Sequence, residues 1–142
     1  MFQHILIATD GSELSDKALE GGLELAKAMG AKVTVYRSVI EYLPMTEFAV
    51  DTPQDVMAEL QAAVDRSLNT AVERAQARGI QATSRRSVEL SPYIGIIECA
   101  NKEGCDLILM ASHGRRGLSS LILGSETQKV LTHSTIPVLV YR

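Results

Sequence analysis

The sequence predicts a single doubly wound α/β domain with a five-stranded parallel sheet and helices on both faces. Three observations predict it. Short apolar runs of strand type alternate along the whole chain with longer stretches whose apolar residues recur at helical spacing. A length of 142 residues with 46% apolar composition suits one closed core, and no repeat, low-complexity tract or linker divides the chain. Parallel strands joined through helices need right-handed crossovers, which cover both faces of the sheet.

The elements follow in order. Ile5 to Ala8 is a short apolar strand, and Thr9-Asp10-Gly11-Ser12 punctuates it. Leu14, Ala18, Leu23, Ala26 and Met29 then form a helical stripe that Gly30 stops. Val33 to Val39 is the second strand, followed by a long loop that contains Pro44 and Pro53. From Gln54 to Arg78 the stripe Val56, Leu60, Val64, Leu68, Ala71 and Ala75 predicts a helix, closed by Gly79. Ile80 to Val88 is a third, more polar strand. Ser91-Pro92 offers a capping hydroxyl and a proline at the first helical position, opening a helix through Ile94, Ile97 and Ala100 that Gly104 ends. Leu107 to Met110 is the fourth strand, Ser125 caps a helix containing Val130 and Leu131, and Pro137 to Tyr141 is the fifth strand.

Composition narrows the function. A formal charge of -3 without acidic or basic blocks argues against a groove for duplex nucleic acid, and 4% aromatic residues leave little for base stacking. No apolar run is long enough to span a bilayer, and the first residues show strand pattern instead of a cationic head and signal core. A cytoplasmic protein without membrane or nucleic-acid partners is expected. Cys99 and Cys105 match no metal-ligand spacing and read as small buried apolar groups.

The segment Met110-Ala111-Ser112-His113-Gly114-Arg115-Arg116-Gly117, followed by Gly124-Ser125-Glu126-Thr127, carries the functional signal. It sits where a buried strand hands over to a helix. Glycines there let backbone N–H groups approach an anion, and the helix start adds unpaired donors and a positive dipole end. In doubly wound sheets ligands lie beyond the carboxyl ends of the strands, which here are Ala8-Thr9-Asp10, Val39 and this segment.

These residues resemble the universal stress protein family, in its nucleotide-binding branch, over the whole chain. The family's phosphate motif is glycine, two residues, glycine, nine residues, then Gly-Ser or Gly-Thr. Here it reads Ala111-Ser112-His113-Gly114, nine residues from Arg115 to Leu123, then Gly124-Ser125, with Ala111 standing for the first glycine. The resemblance implies a Rossmann-like sheet of strand order 3-2-1-4-5 and ATP, with Mg²⁺, as the ligand. Ala8, Thr9, Asp10 and Val39 match positions that hold the adenosine, Asp10 near the ribose and the Val39 backbone facing the adenine. Met110, Ala111, Ser112, His113, Gly114 and Arg115, with Gly124, Ser125, Glu126 and Thr127, match the phosphate loop, where the Ser125 and Thr127 hydroxyls can donate to phosphate oxygens. A stress-response regulator is implied, a homodimer through its C-terminal strand that also acts on a protein partner.

Other readings stand beside these. Asp10 could instead cap the first helix, although Ser12 is the better placed cap. His113 has no nucleophile or carboxylate beside it in sequence and reads as shaping the loop. Arg115 and Arg116 read either as charge for phosphates or as a solvated pair, and Met45 and Phe48 read as core. His4 and His133 receive no role. Two functional alternatives remain: a dimeric interaction module that binds no nucleotide, for which Ala111 is the one sequence feature, and a slow ATPase. A phosphoacceptor would need clustered carboxylates that Asp10 lacks.

Overall fold

A computed structural model describes residues 1–40, 54–114 and 123–142. The elements run β1 (His4–Ala8), α1 (Glu13–Met29), β2 (Lys32–Ile40), α2 (Gln54–Gln76), β3 (Ala82–Glu89), α3 (Pro92–Glu103), β4 (Leu107–Ala111), α4 (Ser125–His133) and β5 (Val138–Tyr141). All five strands are parallel, in the order β3-β2-β1-β4-β5. The expected architecture and strand order are both present. Met45, Phe48, Pro44 and Pro53 of the expected long loop, and Arg115, Arg116 and Gly117, lie outside the described residues.

Period-two alternation along the strands divides the core into two layers. On one face Ile5, Ile7, Val33, Val35, Leu107, Leu109 and Ala111 pack under α1 and α2. On the other, Leu6, Ala8, Tyr36, Ile108 and Met110 meet Ile96 and Ala100 of α3 and Val130 of α4. β1 is central and every one of its residues is buried, which explains its unbroken apolar run. β3 is an edge, and its polarity follows: Arg85 and Arg86 are exposed and paired with Glu103 at 2.8 Å and Asp65 at 2.6 Å. Charged side chains on an edge discourage pairing with other chains.

Packing shifts three sequence expectations. In the α2 stripe only Val64, Leu68, Ala71 and Ala75 reach the core, while Val56 and Leu60 are 50% and 37% exposed. In α3 the sheet-facing residue is Ile96, with Ile94 and Ile97 only half-buried. Ser125 is not a cap: the first helical bond runs from the Gln128 N–H to the Gly124 carbonyl, at 3.0 Å, so Gly124 is the half-in residue and Ser125 begins the helix. Gly30 behaves as expected, ending α1 in the left-handed conformation at φ 67°.

Two contacts fix the helices that wall the site. Glu20 of α1 accepts from Arg74 of α2 and from Arg78 in the turn that follows it, Arg74 also reaching Asp16 at 2.7 Å, and the Arg78 bond above all holds the Glu20 carboxyl below its usual range. α3 lies close enough to β2 that a Cβ on Gly95 would stand 1.9 Å from the Tyr36 hydroxyl. That hydroxyl is shared with Ser38 at 2.9 Å and Ser87 at 2.6 Å, and burial raises its pKa.

Candidate functional site

Beyond the carboxyl ends of β2, β1 and β4 the chain leaves a cleft of about 520 Å³. It is the place where strand order reverses, because β1 is followed by β2 on one side and flanked by β4 on the other. The expected residues Ala8, Thr9, Asp10, Val39, Met110, Ala111, His113, Gly114, Gly124, Ser125, Glu126 and Thr127 all line it. Ser112 does not, and Arg115 lies outside the described residues.

At the β1 end a hydroxyl network sets the turn into α1. Ser12 is the cap, its Oγ accepting from the Ser15 N–H at 3.2 Å. Asp10 stands one step earlier, its Oδ1 accepting from the Ser12 N–H at 2.9 Å in a local turn. The cap role weighed for Asp10 therefore falls to Ser12, as the sequence favoured. Ser15 is buried, faces the cleft, donates to the Ser12 carbonyl at 3.0 Å and lies 3.1 Å from the Thr9 hydroxyl. Sequence reading missed Ser15; its spacing of three from the cap was the available signal. Gly11 takes φ 79°, a left-handed step that lets the chain turn immediately into the helix.

At the β4 end Ser112 is a structural hinge-pin. Its N–H donates to the Tyr141 carbonyl at 2.7 Å and its carbonyl accepts from the Gly124 N–H at 2.8 Å. The second bond brings the two halves of the glycine-bearing segment together. Ser112 itself is buried, with its Oγ 3.2 Å from His113 Nδ1. The Thr127 hydroxyl donates to the Ala111 carbonyl at 3.0 Å, so its proton ties α4 to β4 and is not offered to a phosphate. Ser125 is exposed at the head of α4 and lines the cleft. Ala111 is an ordinary strand residue paired with Tyr141, and no non-glycine residue among those described has positive φ. Its methyl belongs to the core beneath α1, so the backbone there does not require glycine.

The two glycines of the segment are constrained by their neighbours. A Cβ on Gly124 would lie 3.1 Å from His113 Cα, and one on Gly114 would lie 2.3 Å from Asp10 Oδ2. Glu126 lines the cleft, yet its carboxylate accepts from the Tyr93 N–H at 2.8 Å and from Lys129 Nζ at 3.2 Å. At the opposite end Arg37, Ser38 and Val39 meet an apolar rim of Ile40, Leu60 and Leu90. Of these the sequence singled out only Val39 as a site residue. An exposed leucine inside an otherwise regular stripe is a signal visible only once the helix is placed.

The rest of the molecule offers no competing chemistry among the described residues. There is no group of three or more His, Cys, Asp or Glu arranged to hold a metal ion. Burial pushes the Cys99 thiol up to about 11 and Cys105 to about 12, so both stay protonated and behave as apolar groups. His4, which received no role, is buried with Nε2 2.8 Å from the Thr34 hydroxyl, and His133 stacks on Tyr93. No described helix is long and apolar enough to cross a membrane.

Comparison with known proteins agrees with this architecture. The family model for the universal stress protein family matches residues 1–142. Universal stress protein YxiE of Bacillus subtilis is 33% identical, with all of both chains covered. The solved structure of protein MJ0577 of Methanocaldococcus jannaschii superimposes with a TM-score of 0.85 at 26% identity, over 99% of this chain and 96% of that one. A universal stress protein crystallised in complex with cAMP shares the fold, with a TM-score of 0.74 at 24% identity over 99% and 97% of the two chains. With the family model matched from first residue to last and a full-length relative at 33% identity, the chain belongs to the universal stress protein family.

Proposed function

We propose that the chain binds ATP, with Mg²⁺, in this cleft and works as a dimeric regulatory protein of the stress response. The observation that carries the reading is the bond from the Gly124 N–H to the Ser112 carbonyl, which gathers Gly114, Gly124 and the head of α4 at one end of the cleft. Strand order then puts β1 with Asp10 in the middle and β2 with Val39 at the far end. Phosphates, ribose and adenine fall in that sequence, the phosphates on N–H groups at the positive end of α4. The extended conformation of Ala111 supports the reading, because the backbone there does not require glycine.

Dimer formation fits the β5 edge. Among the described residues β5 pairs only with β4, and Leu139 and Leu131 are 37% and 42% exposed beside it. An uncovered apolar edge of this type is a pairing surface.

Titration calorimetry with ATP and Mg²⁺ tests the ligand, with cAMP included because a protein of this fold was crystallised with it. Saturable heat with ATP supports the reading. Absence of heat with protein in the high-micromolar range overturns it. Sedimentation velocity on the same sample tests the dimer.

A further inference from the structure

The start of α3 lacks the cap that its sequence offers. Ser91 occupies the cap position but its hydroxyl makes no capping bond, and Pro92 has no N–H. The first donor of the helix, Tyr93 N–H, is satisfied by Glu126 Oε2 at 2.8 Å, from the first turn of α4 and 33 residues away. Lys129 reaches Glu126 Oε1 at 3.2 Å and stands 5.5 Å from the centre of the Tyr93 ring, on which the His133 ring also stacks at 5.3 Å. Residues 126, 129 and 133 are one face of α4, and all three grip Tyr93.

We infer that Glu126 is a positioning residue: by capping α3 from outside, it holds the anion-binding head of α4 in a set position against the neighbouring wall of the cleft. Pro92 and Ile96 of α3 line that wall, and Gly124 and Ser125 directly precede Glu126. A carboxylate in the first turn of α4 would otherwise compete with a phosphate for the same dipole end. Bound to the Tyr93 N–H and Lys129, its charge is directed to the neighbouring helix and the head of α4 stays open to a ligand anion. Glu126 thus serves the phosphate end without contacting the ligand. The inference rests on the nucleotide reading above.

The test uses the full-length protein and the variants Glu126→Ala, Glu126→Gln and Lys129→Met. Amide exchange at Tyr93 is followed by NMR, and affinities for Mg·ATP and for adenosine are measured by calorimetry. Glu126→Ala should speed Tyr93 exchange and weaken ATP about tenfold, the worth of one charge-assisted bond, while adenosine affinity stays within about twofold. Glu126→Gln keeps an acceptor for the Tyr93 N–H and should restore ATP affinity to within about threefold of the original. Lys129→Met, which leaves the cap bond, should behave like Glu126→Gln. Equal losses of ATP and adenosine in Glu126→Ala, unchanged ATP affinity despite faster exchange, no recovery with Gln, or a Lys129→Met loss as large as that of Glu126→Ala would each overturn the positioning role. If the unaltered protein binds neither ligand, the nucleotide reading itself fails, and this inference with it.

Discussion

Replacing Gly114 by alanine should destabilise the protein by about 1 kcal/mol, and the same replacement should become harmless once Asp10 is alanine. The added Cβ would lie 2.3 Å from Asp10 Oδ2. An ordinary carbon to oxygen contact is about 3.3 to 3.6 Å, so the carboxylate must retreat by about 1 Å. It cannot retreat without loss, because its other oxygen holds the N–H of Ser12, the cap of α1, at 2.9 Å. A hydrogen bond to a charged group contributes about 1.5 to 3 kcal/mol, and at this partly exposed site the lower end applies. Against it stands the gain of about 0.4 to 1 kcal/mol from removing a glycine in a backbone conformation that alanine tolerates. Urea denaturation of the four proteins of the cycle measures the outcome. In the Asp10→Ala background no other described side chain stands within 4 Å of that Cβ, so Gly114→Ala should be neutral or stabilising. An equal cost in both backgrounds would refute the contact as the reason for glycine at this position.

Two further outcomes follow from buried groups. Gly95→Ala should cost about 1 to 3 kcal/mol by overpacking, because its Cβ would stand 1.9 Å from the Tyr36 hydroxyl, and Tyr36→Phe should relieve part of that cost in thermal melts of the double variant. His4 has its pKa lowered by burial and by Lys32, with Glu103 and Asp106 opposing. The neutral form is the native one, so the unfolded chain binds the extra proton and stability falls as pH drops below about 6.5. The stability difference between pH 7.5 and pH 5.5 should shrink in His4→Gln. An unchanged difference would show that His4 does not titrate between the two states.

Strand and helix alternation was legible because the central strands are buried on both faces and their neighbours are not, so run length and stripe period carry the burial directly. Val64, Leu68, Ala71 and Ala75 show this well. Phase errors arose where two periods are nearly degenerate: Ile94, Ile96 and Ile97 differ by only a rotation of α3, and the sheet alone decides which faces it. The lining of the cleft was legible where the chain is contiguous. Asp10, Gly114 and Gly124 announce themselves as small or polar residues at strand ends. Ser15, Tyr36, Ser38 and Leu60 do not, since each is an unexceptional member of a helix or strand and faces the cleft only by tertiary placement. Glu126 was visible as a loop residue, but its partner Tyr93 could not be, because a bond across 33 residues leaves no periodic trace.

The position of β1 has a consequence for how the protein is made. A chain that emerges from its N-terminus delivers β1, β2 and β3 in turn, and each adds to the outer side of the one before. Throughout that time the other side of β1 has its backbone groups unanswered, because their partners are Leu107 to Leu109. Only after most of the sequence has been synthesised does β4 close that side, with β5 adding last of all. This fully buried central strand therefore spends most of translation as an open template for mispairing, and the nascent half-sheet is where a chaperone would find its substrate.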